Sequence, residues 1–361
     1  MTTHMIGVGT ALPPVAVPQA RAAEMLGELL PEGDRRARSA AALFRRTGVR
    51  SRHSVLAEVD GAGKVHQTFF PLRDPLGPGT AARMSAYCEL APGLAAEAAR
   101  AALADAGPEA GQAASITHLV TVSCTGFGAP GVDRRLIDDL GLSPSVERTN
   151  VGFMGCHGAL NGLRVARAFV EADPRARVLL VAVELSSLHV QPGGGEGQVV
   201  ANALFADGAA ALVLGSEPAG RAWPVRACGS RLFPASEALM SWQVGDHGFD
   251  ISLSAQVPDA IEGALMPWFG EWLGESGLRV EDVASWAVHP GGPRIVDSVQ
   301  SVLGLAADDV EVSREILAEL GNMSSPTVLF ILKRLMERGA RRPCVAMAFG
   351  PGLFAEVALF V

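Results

Sequence analysis

The chain has 361 residues, 48% of them apolar, with 30 basic and 38 acidic side chains and a formal net charge of −8. That much apolar chain builds a large core, while basic residues scattered without a long run argue against nucleic acid as the main partner. Five cysteines, at 88, 124, 156, 228 and 344, contain no Cys-x-x-Cys pair and no even framework, which argues against a structural zinc site or a disulfide scaffold and fits a reducing cytoplasm. The opening segment lacks a basic stretch followed by an apolar one, and no apolar run approaches the ~20 residues of a membrane span. A soluble, cytoplasmic protein is expected.

In chain order, glycine and proline crowd 71–80, which predicts an exposed loop. A helical pattern follows over 94–106, then an apolar β-type run over 117–122. Gly155-Cys156-His157-Gly158 opens a second helical pattern over 159–172, and a strand over 177–183 leads to a second glycine-rich loop at Pro192-Gly193-Gly194-Gly195. Beyond a strand at 209–214 the pattern repeats: helices at 258–273, 293–303, 313–320 and 326–336 alternate with strands at 286–288, 345–348 and 355–361. Such alternation reads as α/β.

The second half echoes the first in order. Gly155-Cys156 before a helix matches Gly321-Asn322, Phe205-Ala206-Asp207-Gly208 before an apolar run matches Phe349-Gly350-Pro351-Gly352, and the strand ending at Ser123-Cys124 matches the one ending at Val288-His289. Cys124 and Cys156 stand 32 positions apart, His289 and Asn322 33. A duplicated α/β unit accounts for this, with the seam near 216. Packing about a pseudo-twofold axis then brings Cys156, His289 and Asn322 to one site.

By itself Cys156 reads equally as a small core filler or as a nucleophile at a helix start, where free N–H groups favour thiolate. His289 alone reads as a core histidine, and Asn322 alone as a helix N-cap. Together they supply a thiolate, an imidazole that stabilises it and a donor for an oxyanion.

With Gly155-Cys156, Leu204-Phe205-Ala206-Asp207-Gly208, His289-Pro290-Gly291-Gly292-Pro293, Gly321-Asn322-Met323-Ser324-Ser325 and Phe349-Gly350-Pro351-Gly352-Leu353 in this order, the chain resembles the type III polyketide synthases, the chalcone-synthase-like branch of the thiolase superfamily. The resemblance implies a thiolase-like fold of five alternating α/β/α/β/α layers. Residues 1–215 form the half carrying Cys156 and 216–361 the half carrying His289 and Asn322. It implies a homodimer that uses acyl-CoA and malonyl-CoA as substrates and requires no metal or redox cofactor. Cys156 takes the acyl group, and His289 and Asn322 hold the malonyl thioester as carbon dioxide leaves. Phe205 corresponds to a gatekeeper aromatic, Ile251 to a second gatekeeper, and Cys124, Thr125, Ala129, Trp242, Ser324, Gly350 and Pro351 to pocket positions. Arg46, Arg50, Gly291 and Gly292 correspond to the coenzyme A side. The arginine group reads equally as a solvated patch.

Pocket positions depart from the plant pattern: Ile251 is not aromatic, Ala129 is small, and Trp242 stands where glycine is usual. The stretch 240–249 is similar to bacterial members that take fatty acyl starters and make alkylpyrones or alkylresorcinols, so an aliphatic starter is expected. His189 either borders the pocket or ends a strand, and His157 reads as structural. The competing readings are a ketoacyl-carrier-protein synthase III, which condenses once with a carrier-bound malonyl group, and a non-catalytic partner subunit.

Overall fold

The computed structural model describes residues 2–361. Nine segments join one mixed sheet: β1 (Thr3–Ala11), β2 (His118–Ser123), β3 (Glu147–Gly152), β4 (Val178–Leu185), β5 (Asp207–Gly215), β6 (Trp223–Leu232), β7 (Ser285–Val288), β8 (Cys344–Gly350) and β9 (Phe354–Phe360). Their spatial order is β7-β8-β9-β6-β1-β5-β4-β2-β3. The strands β3, β2 and β4 run parallel to one another, as do β7 and β8; the remaining pairs are antiparallel. A short pairing of Thr3–Met5 with Trp223–Val225 joins the first-half strands to the second-half strands.

Side-chain alternation along these strands creates the layers. In β4 and β5, Leu179, Val181, Ala209, Ala211 and Val213 pack outward with α1 (Thr80–Asp105), whose buried face is mostly alanine. Their neighbours Leu180, Ala182, Ala210 and Leu212 turn inward onto α2 (Gly158–Ala172). The same inner core takes Ala346, Ala358 and Phe360 from β8 and β9 together with α5 (Thr327–Glu337). On the far side Val345, Met347, Val357 and Leu359 pack against α3 (Val257–Gly274) and α4 (Pro293–Leu303). The result is helix, sheet, helix pair, sheet, helix pair, with α2 and α5 enclosed between the two parts of the sheet. This is the five-layer thiolase-like arrangement.

Two differences from the sequence reading have physical causes. Helix α1 begins at Thr80 and continues through Pro92, a residue that ordinarily breaks a helix and therefore hid its first half. Strand β1 was obscured by Gly7 and Gly9, which are depleted in strands; a Cβ on Gly9 would lie 2.2 Å from the Ala98 carbonyl of α1, so glycine there permits the close helix–sheet approach. Helices Gln19–Leu29 and Arg35–Arg46 and the hairpin Met240–Gly245/Gly248–Leu253 were also not expected, and they wall the cavity described next. Among the described residues no helix is long and apolar enough to cross a membrane.

Candidate active site

Strand β3 ends in a turn that holds Phe153 and Gly155 at φ 67 and 75. Cys156 follows in a single 3-10 turn, Gly155–His157, that runs into α2. The Gly155 N–H donates to Cys124 Sγ at 2.9 Å, and a Cβ on Gly155 would sit 2.3 Å from Pro351 Cδ. In the second half, Gly321 at φ 74 precedes Asn322. The Asn322 N–H donates to the Leu204 carbonyl at 2.9 Å, and its carbonyl accepts from the Ala206 N–H at 2.8 Å. Its side-chain Oδ1 accepts from the Ser324 N–H at 2.8 Å, which turns Nδ2 toward Cys156 Sγ, 4.0 Å away, and toward the Gly291 carbonyl at 3.5 Å. His289 stands just past the end of β7, its N–H donating to the Met347 carbonyl at 2.8 Å. It is buried, and both ring nitrogens lack a partner in the protein. Cys156, His289 and Asn322 line a single cavity with about 1590 Å³ of empty space, its open mouth included.

Burial pushes the Cys156 thiol up to about 11, with the Glu184 carboxylate adding to the rise and Ser324 and Asn322 opposing it. Burial likewise holds the His289 imidazolium down to about 3, with His157 adding to the effect. Burial thus favours the neutral form of each group, and ionisation of the pair requires a proton to pass from one to the other. Desolvation opposes the thiolate expected from the sequence, while Ser324 and Asn322 favour it. The pair suits proton transfer from thiol to imidazole at the moment of attack.

The hairpin explains why Trp242 and Ile251 act on the same space. They are cross-strand partners, as are Met240 and Leu253, so alternate residues present one face to the cavity. Phe205, Cys124, Thr125, Ser324, Pro351 and Gly291 line it as well. Ala129, Gly350, Gly292, Arg46 and Arg50 lie outside the lining. Ala129 is exposed on the loop after Thr125. Gly350 packs on His157, whose ring would sit 2.4 Å from an added Cβ. Gly292 has φ 176, ordinary extended backbone at the start of α4, so a special φ does not account for glycine there. Arg46 is exposed in the last turn of its helix, a favourable place for a cation, and exposed Arg50 lies 3.8 Å from Glu319.

His189 borders the cavity and is held on both sides: Nε2 lies 2.6 Å from the Thr125 carbonyl, Nδ1 accepts from the Phe249 N–H at 3.2 Å, and the ring stacks on Phe249. Burial lowers it to about 4 and keeps it neutral. His157 is buried and lies 2.6 Å from Asn161 through Nδ1, away from the lining.

Sequence reasoning missed Glu184. It is fully buried in β4 and accepts from Ser325 Oγ at 2.6 Å, Thr125 Oγ1 at 2.8 Å, the Cys124 N–H at 2.9 Å and the Thr125 N–H at 3.1 Å. It ties the β2 end to the segment after Asn322 and sets a negative charge behind the thiol. The signal was present: one carboxylate within the otherwise apolar run Val178–Leu185 requires partners. Arg52, which the sequence groups with Arg45, Arg46 and Arg50 as a small-anion site or a solvated patch, is neither. Buried, it donates to the Asn202 and Phe205 carbonyls at 2.8 and 2.7 Å and so holds the backbone that carries Phe205.

Comparison with known proteins places this geometry. Residues 2–218 match the family described as chalcone and stilbene synthases, N-terminal domain, and residues 225–361 the corresponding C-terminal domain. The chain is 34% identical over 363 residues to the alpha-pyrone synthesis polyketide synthase-like Pks18 of Mycobacterium tuberculosis, covering 98% of this chain and 90% of that protein. It is 35% identical over 371 residues to the 1,3,6,8-tetrahydroxynaphthalene synthase of Streptomyces peucetius subsp. caesius, covering 99% and 92%. Among solved structures, PKS-I from the brown alga Ectocarpus siliculosus superimposes with a TM-score of 0.92 at 30% identity, covering 100% of this chain and 98% of that one. The C-terminal type III polyketide synthase domain of Steely1 from Dictyostelium gives 0.88 at 26% identity, covering 100% and 99%. With both family domains matched end to end around the cavity of Cys156, the chain belongs to the chalcone and stilbene synthase family, the type III polyketide synthases.

Proposed function

We propose that this synthase loads an aliphatic acyl group from coenzyme A onto Cys156, extends it iteratively with malonyl-CoA and cyclises the product as an alkylpyrone or alkylresorcinol. In loading, the Cys156 thiol gives its proton to His289 as sulfur attacks the thioester carbonyl; the coenzyme A thiolate leaves and takes the proton back. In extension, the malonyl thioester oxygen sits between an N–H of His289 and Nδ2 of Asn322. Carbon dioxide departs, those donors stabilise the enolate, and its carbon attacks the acyl-Cys156 carbonyl. The Cys156 thiolate is expelled and the chain is two carbons longer. The observation that carries this reading is the buried, unpartnered His289 ring sharing one cavity with the Asn322 amide and the thiol.

The aliphatic starter is supported by a largely alkyl and aromatic lining and by the name of the mycobacterial relative, an alpha-pyrone synthesis protein. A cytoplasmic homodimer, with its halves divided near 216, belongs to the same proposal. Exposed Phe127, Phe153 and Met154 beside the Cys156 turn offer the apolar surface for pairing. Exposed Arg46 and Arg50, outside the cavity, are the cations proposed for the coenzyme A phosphates.

Mass spectrometry of products from acyl-CoA starters of graded length with malonyl-CoA, with no carrier protein present, tests the reading. Several extensions and a ring are expected, with no product from Cys156→Ala. A single β-ketoacyl product that depends on a carrier protein overturns it.

A further inference from the structure

The helix Arg35–Arg46 carries five arginines, all of them exposed. At about 3.6 residues per turn, Arg35, Arg38, Arg45 and Arg46 fall within roughly 100° of its circumference. Ala40 and Phe44 lie on the opposite face and are buried with Leu26 and Ala203, and Phe44 reaches the cavity of Cys156. The helix thus shows its charge outward from a wall of the active site. Acidic side chains in this region are already taken: Asp34 by Arg36, Glu32 by Arg73, Glu24 and Glu28 by Arg21, and Glu319 by Arg50 and Arg334. Among the described residues, none of Arg35, Arg38, Arg45 and Arg46 stands in an ion pair. A chain with a net charge of −8 therefore bears one strip of uncompensated positive charge, which orients it toward an anionic surface.

Apolar side chains flank that strip. Leu72 is 66% and Leu76 57% exposed on the loop over 71–79. This loop meets the helix and its lead-in at two points. Arg73 lies 3.4 Å from Glu32, and Arg36 Nη1 donates to the Gly193 carbonyl at 3.4 Å while the Gly193 N–H donates to the Pro75 carbonyl at 3.2 Å. Arginines alone would suit an acidic protein; exposed leucines beside them suit a surface that is anionic outside and apolar within.

We propose that Arg35, Arg38 and Arg45, with Leu72 and Leu76, dock the enzyme on the surface of an anionic phospholipid membrane. The planar guanidinium forks match phosphate oxygens, and the two leucines enter the headgroup boundary. Docking in this way sets the Phe44 wall of the cavity against the bilayer, where long-chain acyl thioesters gather and an apolar product dissolves. The proposal goes beyond the synthase reading and does not depend on it.

Flotation with vesicles tests it, comparing equal parts of phosphatidylcholine and phosphatidylglycerol with phosphatidylcholine alone. The wild type is expected to float with the anionic vesicles and not with the neutral ones, and to be released as salt rises toward about 1 M. Each arginine near such a surface is worth about fivefold, so Arg35→Gln, Arg38→Gln and Arg45→Gln combined lower the partition coefficient about 100-fold. Arg46 and Arg50, proposed for the coenzyme A phosphates, stay in place. Leu72→Ser with Leu76→Ser lowers it about tenfold and leaves the dependence on anionic lipid. A wild type that binds neither vesicle, or both equally, overturns the proposal, as does a triple variant that binds like the wild type with an unchanged melting temperature. If the triple variant does not fold, the leucine pair decides, and unchanged binding overturns it. An acidic acyl carrier protein that binds the wild type and not the triple variant, while vesicles bind neither, assigns the strip to a protein and overturns docking on a membrane. Flotation reads binding alone, so a failure to form polyketide counts against the synthase reading only.

Discussion

Two glycine turns, one in each half, face the cavity from related positions. Gly155 and Gly321 share a positive φ, 75 and 74, each just ahead of an element that leads into an enclosed helix. Each is packed against the other half: Gly155 against Pro351 from the loop after β8, Gly321 against Leu204 and Ala206 from the loop before β5. What differs is the next side chain, a thiol in one and a carboxamide in the other. The lesson is that a repeated glycine turn supplies two aimed positions, and one residue at each assigns the chemistry. The crossed packing also makes each position depend on both halves.

The largest effect that sharpens this contrast is at the nucleophile. Cys156→Ala is expected to lower kcat for condensation by about 10⁴-fold or more, measured as product by mass spectrometry, while palmitoyl-CoA still binds by calorimetry. At the matching position, Asn322→Ala removes one oxyanion donor and is expected to cost about 10²–10³-fold in kcat. Single-turnover acylation of Cys156 should survive that change, since the amide is proposed to act on the malonyl thioester. Equal loss of acylation and extension would break the division of roles.

The two glycines themselves come next. Gly321, at φ 74 and ψ −171, occupies backbone that is essentially glycine's alone, so an alanine there costs about 1–3 kcal/mol, and an alanine at Gly155 is strained by its φ of 75. At Gly155 the new Cβ also lies 2.3 Å from a proline ring, whereas at Gly321 its nearest neighbours are 3.1 Å away. Both Gly155→Ala and Gly321→Ala are therefore expected to melt below the wild type, the first chiefly through the proline clash and the second chiefly through backbone strain; a melting temperature like the wild type's in either would show that its turn tolerates a side chain.

The smallest effects concern protons. With the thiol pushed up to about 11, the rate of Cys156 alkylation by iodoacetamide should rise steadily from pH 7 toward alkaline pH. Glu184→Gln removes a charge that raises the thiol and should move the profile to lower pH. A plateau beginning below pH 7 would instead mean that proton transfer to His289 is complete in the resting enzyme. His289 and His189 are held down to about 3 and 4, below the ordinary value of 6.5. The unfolded chain therefore binds protons that the folded one refuses, and stability should be full above about pH 6.5 and fall as the pH drops toward 4. Denaturant midpoints across that range check the sign.

Much of this was legible in the residues. The alternation of helical and apolar runs, the ordered echo of the two halves, and Cys156, His289 and Asn322 at matching signposts were read from local pattern, because periodicity and glycine turns are short-range properties of the chain. The tertiary structure decided the rest. Gly7 and Gly9 are weak strand formers that became a sheet strand because α1 lies close upon them. Pro92 sits within a continuous helix. Glu184 acquired its donors from segments far apart in sequence. The burial that opposes ionisation of the thiol comes from those same segments. So does the cavity wall, which gathers residues of Gln19–Leu29 and the His189, Phe249 and Trp242 rings around Cys156. Desolvation and shape depend on what many distant residues exclude together, and no local stretch of sequence carries that sum.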